Sequence, residues 1–192
     1  GDYLDEPQIT IISPTRDFYE SLLPKFRNKL NFHWALEALE ENSYSSKDDI
    51  SDETTLSKTL DDATDDTSAH NQSSIVFLLE TDEKQKFLFT GDAGRDAFNH
   101  VPQTLLGKVK DVTWMKVPHH GSKHNLDSTI IKHVNPEIAY ISTEKQGKYL
   151  NRSTVFALKK NGTKVYSTSQ NRSTIRHGAI KTREGWTKIE PM

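Results

Sequence analysis

At 192 residues the chain holds one domain with its own core, and a hydrophobic fraction of 33% with mean hydropathy −0.73 implies that part of it is solvated insert. No cysteine is present, which excludes disulfides, thiolate metal ligands and a cysteine nucleophile, and leaves any metal to His and Asp. The net charge of −2 conceals a split: residues 1–107 carry 9 Lys and Arg against 21 Asp and Glu, net −12, and residues 108–192 carry 16 against 6, net +10, so either the C-terminal part attracts a polyanion or the two parts neutralise each other.

Residues 8–13 (QITIIS) read as a short strand ended by Pro14, and residues 17–23 and 30–40 as helical segments on either side of Pro24. From residue 41 to 70 the composition turns to Ser, Thr and Asp, with 9 acidic and 2 basic residues and no sustained apolar period, which predicts an acidic flexible insert. One role for such a segment is to lie over the basic surface and block it; the plainer one is a solvated linker. Order returns with strands at 73–80 (SSIVFLLE) and 86–90 (KFLFT) in hairpin register. A helical stretch over 95–106, kinked or interrupted at Pro102, leads to a strand at 111–117 (DVTWMKV) that stops at Pro118. Asp127 or Ser128 caps a helix through Val134, and residues 137–142 (EIAYIS) form the next strand. A helix over 153–160, closed by Asn161 and Gly162, precedes strands at 163–167, 174–180 and 186–189. Strands alternating with helices predict a layered α/β fold, divided into an N-terminal strand and helices (1–40), the insert (41–70) and the main body (71–192). No cysteine and no apolar leader point to a cytoplasmic protein.

Two features are candidates for chemistry, although taken singly Gly91-Asp92 also reads as a common turn and His119 to Ser122 as a surface loop. Asp92 follows Gly91 just beyond a strand end, where carboxylates sit at the open edge of an α/β sheet. His119 and His120 follow the next strand at Pro118, and Gly121 and Ser122 let the backbone come close to a ligand. His124, four residues after His120 in the same loop, is placed to reach a substrate. His100, His133 and His177 read as structural or solvated, His33 and His70 as isolated, and Trp34, Trp114 and Trp186 as core residues.

Together, NQSSIV at 71–76, FLFTGDAG at 87–94, WMKVPHHGSKHN at 114–125 and EIAYIS after Asn135 and Pro136 resemble the metallo-β-lactamase-fold domain of ComEC-type DNA-uptake proteins, over nearly all of residues 71–180. The resemblance implies an αββα-type sandwich, of which this chain is the C-terminal half. It implies two divalent metal ions, Zn or Mn, with Asp92 as the bridging carboxylate and His120 as a ligand, since the second imidazole is in register with the ligand of the superfamily's Pro-Gly-His-Gly-like turn. His119 then supports that ligand or meets the substrate, and Ser122 and the Gly121 backbone contact phosphate. A metal-activated water would be the nucleophile, so no protein nucleophile is required.

Two departures bound the resemblance. Tyr149 matches the Tyr of a closing Tyr-Gly-His-Pro, but Asn151 stands where its histidine belongs, leaving a group that hydrogen-bonds substrate or water. The superfamily's His-x-His-x-Asp-His has no counterpart in residues 1–70, so most metal ligands are expected from a separate N-terminal half, on the same precursor or another chain. A degenerate relative is the alternative. The expected activity is that of a phosphodiesterase or nuclease, silent in this chain alone, with Lys116, Lys123, Lys148 and Arg152 guiding a nucleic-acid backbone. The competing expectations are a non-catalytic partner half and a small-ester hydrolase of the phosphocholine-esterase type.

Overall fold

The computed structural model describes residues 8–27, 53–143, 150–170, 175–176, 184 and 187–192. Six strands form a mixed sheet in chain order: β1 (Gln8–Ser13), β2 (Val76–Glu80), β3 (Lys86–Phe89), β4 (Trp114–Lys116), β5 (Ile138–Ile141) and β6 (Lys164–Ser167). The first three pair antiparallel and β3 to β6 pair parallel. Helices α1 (Arg16–Arg27), α2 (Glu53–Asp61) and α3 (Ala69–Gln72) lie in sequence between β1 and β2. The parallel strands are joined through α4 (Arg95–Asn99) and α5 (Gln103–Leu106), then α6 (Ser128–Val134), then α7 (Arg152–Lys160). A separate parallel pair, β7 (Ile175–Arg176) and β8 (Thr187–Lys188), follows. Parallel pairing puts the C-terminal ends of β3, β4, β5 and β6 on one edge of the sheet, where ligands bind in such folds.

Strand alternation gives this sheet two unlike faces. On one, Val76, Leu78, Leu88, Met115, Ala139, Ile141 and Val165 are fully buried, in a single core with Phe18 and Leu22 of α1, Leu60 of α2, Ala97 of α4, Ile130, Ile131 and Val134 of α6, and Leu158 of α7. Burying each Leu or Ile contributes roughly 1.5–3 kcal/mol, so this face holds the helical layer to the sheet. On the other, aromatic rings run across five strands: Phe77 to Phe89 at 4.7 Å, Phe89 to Trp114 at 5.1 Å, Trp114 to Tyr140 at 5.7 Å and Tyr140 to Tyr166 at 5.2 Å between centroids. Burial beside Tyr166 pushes the Tyr140 phenol up to about 12. Phe77, Phe89, Trp114 and Tyr140 remain partly exposed. Ile11, opposite Phe77, is 54% exposed, and Ile9 is 63% exposed.

The mixed α/β class expected from the sequence holds. So does the hairpin of β2 and β3, the interruption at Pro102, which opens α5, and the cap by Asp127, whose carboxylate accepts from Ile130 N at 2.7 Å. Helix α1 runs through Pro24 without a break. The body boundary expected at residue 71 moves: α2 and α3 pack residues 53–70 onto the core, with Leu56 and Leu60 one turn apart and Ala69 buried. Two leucines spaced four apart define an apolar helix stripe, but averaging composition over the surrounding acids hides it. Residues 41–52 of the expected insert, the helix at 30–40, His33, Trp34, Lys148, Tyr149, His177 and Trp186 lie outside the described residues.

Candidate functional site

Strand β3 ends in a turn at Gly91, whose φ of +55° and whose space both require glycine: a Cβ there would lie 2.9 Å from Ser74 Cβ. The turn is closed by Asp92 N donating to Ser74 Oγ at 3.1 Å and Thr90 Oγ1 donating to Lys116 O at 2.7 Å. Strand β4 ends in a tight turn, Pro118–Gly121, in which His119 (φ +41°), His120 (φ +55°) and Gly121 (φ +89°) are all left-handed. Two non-glycine residues in that region cost on the order of 1–3 kcal/mol each. The surroundings impose it. His119 N donates to Gly91 O at 3.3 Å, Ser122 N to His119 O at 3.0 Å and Asn151 N to Gly121 O at 3.2 Å. The His120 Nδ1 is hydrogen-bonded to the carbonyl of Ser142, beyond the end of β5.

His119 is held from behind. Its Nδ1 lies 3.2 Å from Asn125 Oδ1 and 3.4 Å from Asp66 Oδ2, with the Asp66 side chain only 7% exposed. Asp66 also accepts from Ser68 N at 2.8 Å, Asn71 Nδ2 at 2.8 Å and Asn125 Nδ2 at 2.9 Å. Asn125 is fully buried and its Nδ2 also faces Asp92 O at 3.1 Å and Ala93 O at 3.3 Å. Burial works against the Asp66 anion, but the bonds from His119, Asn71, Ser68 and Asn125 outweigh it and hold the carboxyl below its ordinary range. Burial likewise works against a charged His119, and Asp66 with help from Asp92 outweighs it, leaving the imidazole above its ordinary value. At Lys116 burial wins: its pKa is lowered despite Asp92, whose Oδ1 lies 3.9 Å from Nζ, while Nζ donates to Gly91 O at 2.7 Å.

A buried arginine fastens this backing in place. Arg95, 6% exposed, donates from Nε to Leu126 O at 3.1 Å, from Nη1 to Ala63 O at 3.0 Å, and from Nη2 to Leu60 O at 2.8 Å and Lys123 O at 3.0 Å, and pairs with Asp65 at 2.9 Å. Gln72 bridges the same region, donating to the Asp66 carbonyl and accepting from Ala97 N at 3.0 Å. Asp66 N donates to His124 O at 3.1 Å. The acidic segment is thus tied to the loop that follows the histidine pair.

Of the residues picked out from the sequence, Asp92 and Lys116 pair at the ends of β3 and β4, His119 N reaches Gly91 O, and His120 turns its Nδ1 to Ser142 beyond β5. Ser122 is buried, its Oγ accepting from His124 N at 3.2 Å, and His124 turns Nδ1 to Thr64 O at 2.6 Å. Lys123 and His124 line a depression of about 440 Å³ with Thr55, Lys58 and Asp62. Asn151 caps α7, its Oδ1 accepting from Ser153 N at 2.9 Å. Arg152 lines a cleft of about 620 Å³ with Leu56, Phe156 and Met192. His100 stacks on Phe18 at 4.2 Å, His133 Nε2 meets Leu106 O at 3.0 Å and His70 meets Phe26 edge-on at 4.8 Å, all structural settings.

Among the described residues no three His, Asp or Glu side chains gather as a metal cluster. Asp92 and His120 nevertheless fit a divalent ion in kind. With Nδ1 donating to a backbone carbonyl, the neutral His120 ring has Nε2 as its acceptor nitrogen, the arrangement typical of a ligating histidine. The Asp92 side chain is 42% exposed at the same edge. A complete site needs three or four protein ligands, so these two would form part of one. The sequence reading missed Asp66, Arg95 and the role of Asn125. The available signal was small: Asp66 accepts from Ser68 N, an Asx turn that an Asp-x-Ser sequence favours.

Fold and site together define a mixed α/β protein with a carboxylate and a strained histidine pair at the C-terminal edge of a parallel sheet. Among curated proteins the chain is similar to ComE operon protein 3 of Bacillus subtilis (strain 168), 30% identical over 128 residues, which is 66% of this chain and 16% of that relative. The chain therefore matches a small part of the relative's length. No protein-family profile and no solved structure matches it. No helix among the described residues is long and apolar enough to cross a membrane.

Proposed function

We propose that this chain is the C-terminal half of a metallo-β-lactamase-type hydrolase of the ComEC branch, acting as a phosphodiesterase or nuclease once completed by an N-terminal half. The observation that carries the reading is the joining of Asp92 and the His119–His120 turn at adjacent parallel strand ends through the His119 N to Gly91 O bond. The likeness to ComE operon protein 3 supports the branch. Asp92 would supply a bridging carboxylate and His120 an imidazole to Zn or Mn. Held there, such ions would supply Lewis-acid polarisation of a phosphoryl oxygen and a water of lowered pKa. The rest falls to this chain: Lys116 places a cation beside Asp92, the turn fixes His119 and His120 on rigid supports, and Lys123, Lys148 and Arg152 attract a polyanion. The partly exposed aromatic face supports a second layer, since an apolar sheet face of this size is normally covered.

A second reading, a regulatory half without catalytic residues of its own, is favoured by Asn151, which serves as a helix cap where the resemblance calls for a histidine. Full activity of the completed enzyme with Asp92→Ala would favour the regulatory half, and substrate class separates the nuclease from a small-ester hydrolase. With an N-terminal half and Mn2+ or Zn2+, cleavage of DNA or RNA is expected, weakening steeply with salt as phosphate contacts are screened. Intact nucleic acid alongside rapid hydrolysis of a neutral ester would overturn the nuclease assignment.

A further inference from the structure

We propose that Asp66 is a positioning residue for this site: with Asn125 it fixes His119 as the Nδ1–H tautomer and so presents Nε2 as the nitrogen that meets the substrate. The inference rests on the functional reading above for what His119 does, and on the hydrogen-bond pattern alone for how it is held.

The network assigns the proton on Nδ1. Asn125 Nδ2 faces three oxygens, of Asp66, Asp92 and Ala93, which fixes the amide orientation and turns Oδ1 toward His119. His119 Nδ1 therefore faces two acceptors, Asn125 Oδ1 and Asp66 Oδ2, and must carry the proton. Asp66 can serve because its own oxygens are themselves fixed by Ser68 N, Asn71 Nδ2 and Asn125 Nδ2. The left-handed backbone at His119 sets where the ring starts, and the buried carboxylate sets which way it turns. A carboxylate behind a metal-ligating imidazole performs this orienting task in many enzymes, its loss typically costing about 10–100-fold in metal affinity or activity, and Asp66 stands in the same relation to His119. The acidic residues of 60–66, held by Arg95 and Gln72, thus contribute to the site as its backing.

The test is the tautomer of His119, read by long-range 1H–15N correlation of the imidazole in the 192-residue chain with the ring neutral. The unsubstituted protein is expected to show the Nδ1–H form; an Nε2–H or averaged pattern overturns the proposal. Asp66→Ala is expected to average the pattern, whereas Asp92→Ala leaves it in place. An Asp66→Ala protein that keeps a pure Nδ1–H ring removes Asp66 from the role. Should Asp66→Ala fail to fold, Asp66→Asn replaces it, because an amide cannot accept at both oxygen positions and is expected to disturb the ring likewise. In the completed enzyme Asp66→Asn is expected to lower kcat about 10–100-fold with KM little changed; equal losses in both point to a structural role and overturn the positioning role. An Nδ1–H ring in a completed protein that cuts no phosphodiester would overturn the functional reading and leave the Asp66–His119 arrangement standing.

Discussion

The His119 amide donates to the Gly91 carbonyl at 3.3 Å, and this bond joins the end of β4 to the end of β3. Through it the residue before Asp92 and the residue before His120 share one hydrogen bond. A carboxylate and an imidazole separated by 28 positions in sequence are brought to one sheet edge by backbone alone.

Gly91→Ala is expected to loosen this junction. A Cβ would meet Ser74 at 2.9 Å while the backbone stays at φ +55°. Strain of this kind costs on the order of 1–3 kcal/mol, so urea unfolding should show a lowered midpoint. An unchanged midpoint would mean that the turn relaxes freely.

Arg95→Ala should be the most damaging single change away from the sheet edge. It leaves the carbonyls of Leu60, Ala63, Lys123 and Leu126 without their buried donor and Asp65 without its partner. Each buried acceptor left unsatisfied costs about 1–3 kcal/mol. Hydrogen exchange should report lost protection in residues 60–66 and 122–126 together; loss confined to one segment would contradict the clamp.

Asp66 gives the fold a defined acid dependence. Its folded pKa lies below the unfolded value, so its contribution is present above the ordinary carboxyl range near 3.9 and is lost as pH falls through the lower folded value. Denaturation curves between about pH 2 and 6 should therefore show stability rising with pH in the unsubstituted chain and a shallower rise in Asp66→Asn. Identical slopes would show that the carboxylate is not stabilised by its bonds.

These residues also mark where sequence reading stops. Strand alternation, the proline at 102 and the cap at Asp127 act locally, and each appeared where the local pattern put it. The positions of Asp92 and the histidine pair just past β3 and β4 were legible because strand ends leave short signatures, whereas the left-handed backbone at His119 and His120 was not read. Pro24 was read as a break, yet α1 continues through it. Asp66 and Arg95 were not legible, because His119 lies 53 positions from Asp66, the partners of Arg95 lie 28–35 positions away, and both neighbourhoods read as polar surface. Trp114 was read as core and instead lies in the partly exposed aromatic row, a distinction that alternation cannot make when both sheet faces are apolar.

That row yields a prediction about assembly. Ile11→Lys changes a residue that is 54% exposed and should leave the stability of the chain nearly unaltered. It places a charge on the face proposed to receive the N-terminal half and should weaken their association, read by titration of one half into the other. Association of normal strength would move the contact to another surface.

The most direct measurement of the central claim is phosphodiester cleavage by the completed enzyme in Mn2+, compared for Asp92→Ala, His120→Ala and the double variant. Groups that share one ion site act as a unit, so each single change should remove nearly as much activity as both together. Full activity in either single variant, or losses that multiply in the double variant, would contradict the claim that Asp92 and His120 serve one metal centre.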